Sequence, residues 1–450
     1  MQMATISRWT LAYFGCALVA LVAALALLVS GFGFPSDGLA APRTLIVVHL
    51  LAIGWLTLLM LGALFQFLPV LVGRELAHAR LTPLALVLVV SGLLFLLSGF
   101  AGLDGWDGFA SEMLPVGGLL LISGFGVAAF VLFATLLRAE TLPLPAAFVA
   151  VALMSVLVTA LIGETLAGAL AGLVGGEFSV ALVTHGVSLH AGFGLGGWLT
   201  LAAMGVSYRL VSMFLIAPER KGAWPMLVFG SAFVALAGLC MALGLLLALN
   251  TSLPIVLVVA GIAAAVTVVA YLGDIAVLYR ARRRKAVELH MLSALGAFGM
   301  LALGAVMLGF GLWQGTEAAI GAAVYVLVLG WLSGLGLAML YKIIPFLTWL
   351  ECFAPVMGRK PTPRVQDLVA EGRARIWFGV YFAAIVVGAL ALLAEMPLAT
   401  RAAMGLQLVS VLFLIGQFYR ARRLIDLPSP WQGQERPRLF LPAREPRRFI

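Results

Sequence analysis

Charge is scarce in this chain: only 10% of its 450 residues are Asp, Glu, Lys or Arg, while 63% are hydrophobic. That balance leaves too little polar surface to cover a water-soluble domain. Cysteine is scarcer still. Cys16, Cys240 and Cys352 lie far apart with no CxxC or CxxCH among them, which excludes a disulfide framework, covalent haem attachment and a thiolate metal cluster. Walker, GxSxG and HExxH patterns are also missing, so nucleotide-driven or hydrolytic chemistry has no residues to carry it. The apolar stretches lack the two-residue alternation of a transmembrane barrel.

What is present is a succession of apolar runs, each longer than the roughly 18 residues a helix needs to cross a bilayer. Twelve are counted, at 9–31, 44–72, 82–101, 113–137, 144–173, 179–216, 224–249, 253–279, 287–312, 317–347, 376–394 and 400–419. Helix is the only state that satisfies the backbone of lone segments in lipid. The expected fold is an all-α polytopic membrane protein, with residues 1–424 as one transmembrane domain and 425–450 as a Pro-, Arg- and Glu-rich cytoplasmic tail with little fold of its own. The N-terminus shows no cleavage site, so the first span is expected to be retained.

Lys and Arg fall on one side. "YRARRRK" (Tyr279 to Lys285), "APERK" (Ala217 to Lys221), "GREL" and "HAR" (Gly73 to Arg80) and the 351–375 segment follow even-numbered spans. The alternate loops, such as "LDGWDGFASE" (Leu103 to Glu112) and "QGTE" (Gln314 to Glu317), are acidic or neutral. Basic loops mark the cytoplasmic face, which puts both termini there and the protein in a bacterial inner membrane. An anionic inner leaflet accounts for the net charge of +9 without any nucleic acid.

One tetrapeptide recurs: "GWLT" at Gly54 to Thr57, "GWLT" at Gly197 to Thr200, and "GWLS" at Gly330 to Ser333. The copies fall in spans 2, 6 and 10. Ten residues after each Trp comes an aromatic followed by a long polar side chain (Phe65-Gln66, Tyr208-Arg209, Tyr341-Lys342), and four residues further stand Pro69, Ser212 and Pro345. The chain thus reads as three pseudo-repeated four-helix arcs, approximately 1–140, 141–285 and 286–424, with one inward-facing helix per arc around a pseudo-threefold axis.

Five histidines are placed by this frame. An imidazole in lipid faces a partner, a cavity or a cofactor. His49 precedes Trp55 by six residues and His190 precedes Trp198 by eight, which at ~1.5 Å per residue puts them about 3 Å apart in depth. His185 lies about 7.5 Å nearer the surface and about 140° around the same regular helix, so either it or His190, not both, is the ligand. His290 and His78 are expected to be ordinary interfacial residues on the cytoplasmic side. Two neutral imidazoles from facing helices suit axial ligation of one haem b, with metal ligands His49 and His190. Gly54, Gly192, Gly194, Gly196 and Gly197 offer small surfaces for a flat macrocycle. Tyr325 holds the register of His49 in span 10 and, with His185, Trp55 and Trp198, is expected to line the same layer. Helix-to-helix hydrogen bonding is the plainer role for the two imidazoles.

Twelve spans in three arcs, inward-facing helices 2, 6 and 10, a histidine in the outer half of helix 2 and cytoplasmic termini resemble the catalytic subunit of the haem-copper oxidase and nitric oxide reductase superfamily. The resemblance implies that His49 is an axial ligand of a low-spin haem and that His185 or His190 stands where the family has a copper ligand. It departs elsewhere: span 10 (Val324 to Phe346) and span 7 carry no histidine, so the usual high-spin haem and copper centre has no ligands. The chain is also similar to twelve-span haem- and copper-binding proteins associated with nitric oxide tolerance. The functional expectation is electron transfer or response to a diatomic gas, with a redox partner or a further membrane subunit. The alternative is a transporter or copper-handling protein on the same scaffold. Glu164, Asp274, Tyr271 and Lys342 are the other polar groups within the spans, readable as ion or proton routes or as interfacial pairs such as Asp274 with Arg209 or Lys342.

The topology is testable with reporter fusions: those after residues 110, 176 and 315 should read as periplasmic and those after 77, 220, 284 and 360 as cytoplasmic. A consistent inversion would reverse the assigned depth of every histidine.

Overall fold

A computed structural model describes residues 9–251, 253–431 and 436–440. Among the described residues, twelve helices are long and apolar enough to cross a membrane. They are α1 (Thr10–Ser30), α2 (Pro42–Val72), α3 (Ala79–Leu103), α4 (Met113–Leu136), α5 (Leu144–Leu170), α6 (Gly176–Leu215), α7 (Ala223–Leu249), α8 (Pro254–Arg280), α9 (Leu289–Gln314), α10 (Glu317–Cys352), α11 (Glu371–Leu393) and α12 (Pro397–Arg422). The protein is therefore an all-α polytopic membrane protein in contact with a lipid bilayer. The spans read from the sequence agree within a few residues. The larger differences lie at the end of α10 and the start of α11, where charged and aromatic residues continue the helices past the apolar runs.

The windows of α2, α6 and α10 are 61%, 78% and 78% buried, against 17–50% for the other nine, so these three form the centre. Around them the pairs α3/α4, α7/α8 and α11/α12 pack tightly, α4 meets α5, α8 meets α9, and α12 returns against α1 to close the ring.

The recurrent tetrapeptide is what joins the centre. In each copy the glycine lies against the preceding and following helices of its own arc. A Cβ would come within 2.7 Å of Ala20 (α1) and 3.0 Å of Leu93 (α3) at Gly54, 2.7 Å of Ser155 (α5) and 3.1 Å of Leu236 (α7) at Gly197, and 2.9 Å of Met300 (α9) and 3.4 Å of Ile385 (α11) at Gly330. Only a residue without a side chain allows that approach. The neighbouring Trp turns inward. Trp55 Nε1 donates to Ser333 Oγ at 2.8 Å and Trp198 Nε1 to Thr57 Oγ1 at 2.9 Å, so each indole is tied to the hydroxyl of another copy. By the same pattern Trp331 would donate to Thr200. Instead its Nε1 is buried with no partner, and its ring leans on Phe298 and Tyr271.

Each copy also ends a π-helical stretch: Leu50–Thr57, Gly192–Thr200 and Val326–Ser333. These wide turns strain the regular i→i+4 ladder, and hydroxyls repair it. Ser333 Oγ donates to the Val328 carbonyl at 2.7 Å, five residues back.

Beyond the tryptophans, toward the end that carries the basic loops, α2, α6 and α10 line a partly open apolar cavity of ≈ 70 Å³. It begins at Leu56, Leu199 and Leu332 and runs to Val211 and Ile343, with Ser207 as the one hydroxyl in its wall. The described part of the tail packs on the same end: Arg422 donates to the Arg438 carbonyl at 2.8 Å, and Leu424 and Leu427 join Phe353 and Leu368 in a small apolar cluster. Residues 432–435 and 441–450 of the expected tail lie outside the described residues.

The unequal ring predicts unequal mutants. Trp55→Phe and Trp198→Phe each break an interhelical hydrogen bond, a loss of about 1–2 kcal/mol beyond the ring contraction common to all three. Trp331→Phe removes an unpaired buried N–H and should be the mildest of the three in thermal unfolding of the detergent-solubilised protein. Equal melting shifts across the series would refute the broken-ring geometry.

Candidate functional site

His49 is the last residue of an α-helical stretch, Pro42–His49, immediately before the first wide turn. His190 sits in Val187–Ala191, a short α-helical piece between the wide turns Leu182–Gly186 and Gly192–Thr200. The two rings face one another with centroids 6.3 Å apart and planes tilted by 33°. Phe100 of α3 flanks His49 at 5.1 Å.

Both rings are held from behind. His49 Nδ1 bonds to the Leu45 carbonyl at 2.7 Å, and His190 Nδ1 bonds to the Thr159 carbonyl of α5 at 3.0 Å. A carbonyl only accepts, so the hydrogen-bond pattern assigns the proton to Nδ1 in each ring and leaves Nε2 with a lone pair. This is the arrangement in which a second hydrogen bond fixes the tautomer and aim of a metal-binding imidazole. With centroids 6.3 Å apart, both rings would be within reach of one metal ion bound at about 2.0 Å from each nitrogen. The residues fit a two-imidazole metal site. Among the described residues no three His, Cys, Asp or Glu side chains converge, so the pair has no third ligand of these types.

Gly163 of α5 carries the back of His190: a Cβ there would stand 2.9 Å from Cε1 and 3.4 Å from Nδ1. Thr159 and Gly163 are four apart and present one face of α5 to the ring. Sequence reasoning passed over both, because a backbone acceptor and a missing side chain leave no mark beside the histidines.

Other expectations change. The glycines read as a floor for a macrocycle mostly meet side chains: Gly54 and Gly197 as described above, Gly192 against Leu239 and Gly194 against Thr159, with Gly196 alone opening on unfilled space. Their role is close helix packing. Trp55 and Trp198 stand in the central ring one layer further in. Tyr325 has the register of His49, directly before its wide turn, but points into its own arc. Its hydroxyl accepts from Gln407 Nε2 of α12 and lies over Gly388 of α11. His185 lies in the outer wide turn, and the ring that meets His49 belongs to His190.

His78 is exposed in its loop and stacks on Phe130 at 5.0 Å. His290 is not an ordinary interfacial residue. It is 2% exposed, packed edge-on against Phe214 at 4.7 Å, with Nδ1 3.4 Å from Glu288 Oε2 and Nε2 unpartnered. Asp274, fully buried, pairs with Arg220 at 2.7 Å and accepts from Tyr208 at 3.0 Å, while Arg209 pairs with Glu219 and Lys342 with Glu288 at 2.5 Å. Tyr271 bonds Ser207 in the cavity wall. Glu164 keeps one carboxyl oxygen buried and unpaired beside Gly118.

Compared with known proteins, the chain matches no protein-family model and no curated protein.

Burial raises the Glu288 carboxyl, but Lys342, with His290 and Arg284, outweighs it and holds the group below its ordinary range. A carboxyl depressed on folding stabilises the fold fully above its unfolded value, about pH 4.3, and loses that contribution as pH falls through the folded value. Glu288→Gln should therefore lower the melting temperature at neutral pH and flatten its decline between about pH 4.3 and lower values. An unchanged acid limb would show that this cluster contributes nothing to it.

Proposed function

We propose that this protein is a haem-binding membrane protein in which His49 and His190 are the two axial ligands of one haem b, and that it transfers electrons or responds to a diatomic gas such as nitric oxide or dioxygen. The observation that supports this reading is the facing pair itself: two imidazoles 6.3 Å apart, each pinned through Nδ1. Bound there, the group would supply one-electron chemistry. The chain's own residues pin each imidazole through Nδ1 and leave its Nε2 lone pair for a ligand bond, with Phe100 beside His49 and Gly163 beside His190. The architecture agrees with a divergent relative of the haem-copper oxidase superfamily. Because α7 and α10 have no histidine, no high-spin haem and copper centre is part of the proposal. A bacterial inner membrane, with the basic loops and both termini in the cytoplasm, is the setting that the charge asymmetry supports, and a redox partner or additional subunit would complete the electron path.

A second reading, copper handling by the same pair, is favoured by one observation. The glycines that might have cleared room for a macrocycle are occupied by neighbouring helices, and a two-coordinate cuprous ion needs no such room. Metal analysis and the reduced absorption spectrum of the purified protein separate the two. A haem yields a Soret band with sharp α and β bands, whereas copper yields a colourless reduced protein. In either case His49→Ala and His190→Ala should each abolish the two-imidazole signature, while His78→Ala, His185→Ala and His290→Ala leave two imidazoles on the metal. Wild-type metal content and spectrum in both of the first two variants would rule the site out.

A further inference from the structure

Two buried polar atoms on neighbouring helices have no partner among the described residues: His290 Nε2 of α9 and Tyr341 Oη of α10. Both side chains line one pocket of ≈ 10 Å³, whose further wall belongs to residues 365–371, the segment leading into α11. Each ring is braced by a neighbour that takes no hydrogen bond. Phe214 of α6 meets His290 edge-on at 4.7 Å, and Phe378 of α11 meets Tyr341 edge-on at 5.9 Å. The two atoms are complementary. The Glu288 carboxylate lies 3.4 Å from His290 Nδ1 and favours the tautomer with its proton there, so Nε2 is an acceptor. Tyr341 Oη has a proton to donate. A buried group left unpaired bears its full desolvation cost, and such groups are normally satisfied by protein or by ordered water. Pro345, in the same wall, has no N–H to give the Tyr341 carbonyl four residues back, which takes one regular bond out of that turn.

We infer that this pocket is a binding site for one water molecule, which donates to His290 Nε2, accepts from Tyr341 Oη, and so joins α9 to α10 beside the 365–371 segment. Size and chemistry select the occupant. A single water needs about 10–15 Å³ and two to four polar partners, so the pocket has no room for a larger ligand. The second hydrogen of the water can turn to Glu288 or Glu371, both of which line the pocket. No three His, Cys, Asp or Glu side chains converge there among the described residues, and the Lys342 ammonium in the wall opposes a small cation. The site lies on the opposite side of the tryptophan layer from His49 and His190 and holds whether or not those two bind a metal.

The direction of one substitution tests it. With a water bound, Tyr341→Phe leaves that water one partner short, and amide hydrogen exchange over residues 365–371 of the full-length solubilised protein should rise about 2- to 10-fold, the scale set by one hydrogen bond. Without a water, the same change deletes an unpaired buried hydroxyl, and exchange should stay equal or slow; that result overturns the inference. His290→Phe removes the other partner and should raise exchange as Tyr341→Phe does. The double variant should then exchange no faster than the faster single one, because both act through one molecule. Additive effects overturn the shared water. Should the variants fail to fold, high-resolution density of the wild-type protein decides: one peak within about 2.7–3.2 Å of both atoms supports the site. An empty pocket overturns it, as does a peak that strengthens when sodium is exchanged for thallium and is therefore a cation.

Discussion

The bond from an indole N–H to a hydroxyl one helix away sets the position of everything else in this fold. In a bilayer the backbone groups are consumed within each helix, and lipid tails are as apolar as the leucines, so hydrophobic burial gives little reason for one helix to prefer another. A directed polar contact supplies the preference. Trp55 to Ser333 and Trp198 to Thr57 fix α2 against α10 and α6 against α2 at one depth. The adjacent glycines press each central helix into its own arc. Gly, Trp and hydroxyl in four residues thus specify an outward contact, an inward donor and an inward acceptor.

Two environments follow on either side of that layer. Toward the basic loops the central helices diverge around leucine, valine and methionine, and the partly open cavity they line has almost no polar wall. A space of that kind stays dry, because a water there would find no partners. The polar groups of this half are instead collected at its rim, where Arg220, Asp274 and Tyr208 satisfy one another and Lys342 neutralises Glu288. On the other side of the tryptophans stands the histidine pair, with the Nδ1 of each ring bonded to a carbonyl. Indoles between a dry cavity and a pair of imidazoles keep the two apart.

The twelve helices were legible because lipid permits so few alternatives: a long apolar run must be helical, and its ends are marked by charge. The central trio was legible for a different reason, the repetition of a motif in register. The depth of His49 and His190 followed from counting to the nearest Trp, and a difference of about 3 Å in rise is small beside the size of an imidazole. Less local features escaped. A glycine looks the same in sequence whether it faces a cofactor or a neighbouring helix, and Gly54, Gly192 and Gly194 turned out to face helices. Tyr325 shares a register with His49 but not a direction, since Gln407 and Gly388 draw it into its own arc. His290 starts a span at the basic end, which reads as interfacial, yet the α6 residue Phe214 and the Glu288–Lys342 pair cover it. The wide turns have no compositional sign at all, because they answer to packing around Trp and Gly rather than to propensity.

Those turns tie the central ring to the histidines. Gly192–Thr200 begins two residues after His190 and ends on the last residue of the tetrapeptide that contains Trp198. The same stretch of backbone therefore joins the piece of α6 that carries His190 to the indole that anchors α6 on Thr57. The other two sides of the ring are not equivalent to this one. Trp55 holds α2 to α10 by a hydrogen bond, but Trp331 gives α10 no such bond to α6, since its Nε1 has no acceptor. Of the three central helices, α6 has one hydrogen-bonded link to the ring, α10 has one and α2 has both. The helix carrying His49 is thus the doubly anchored one. His190, on α6, combines a single hydrogen-bonded anchor in the ring, two flanking wide turns and a tether on a different helix, so its position is set by how α5 packs on α6.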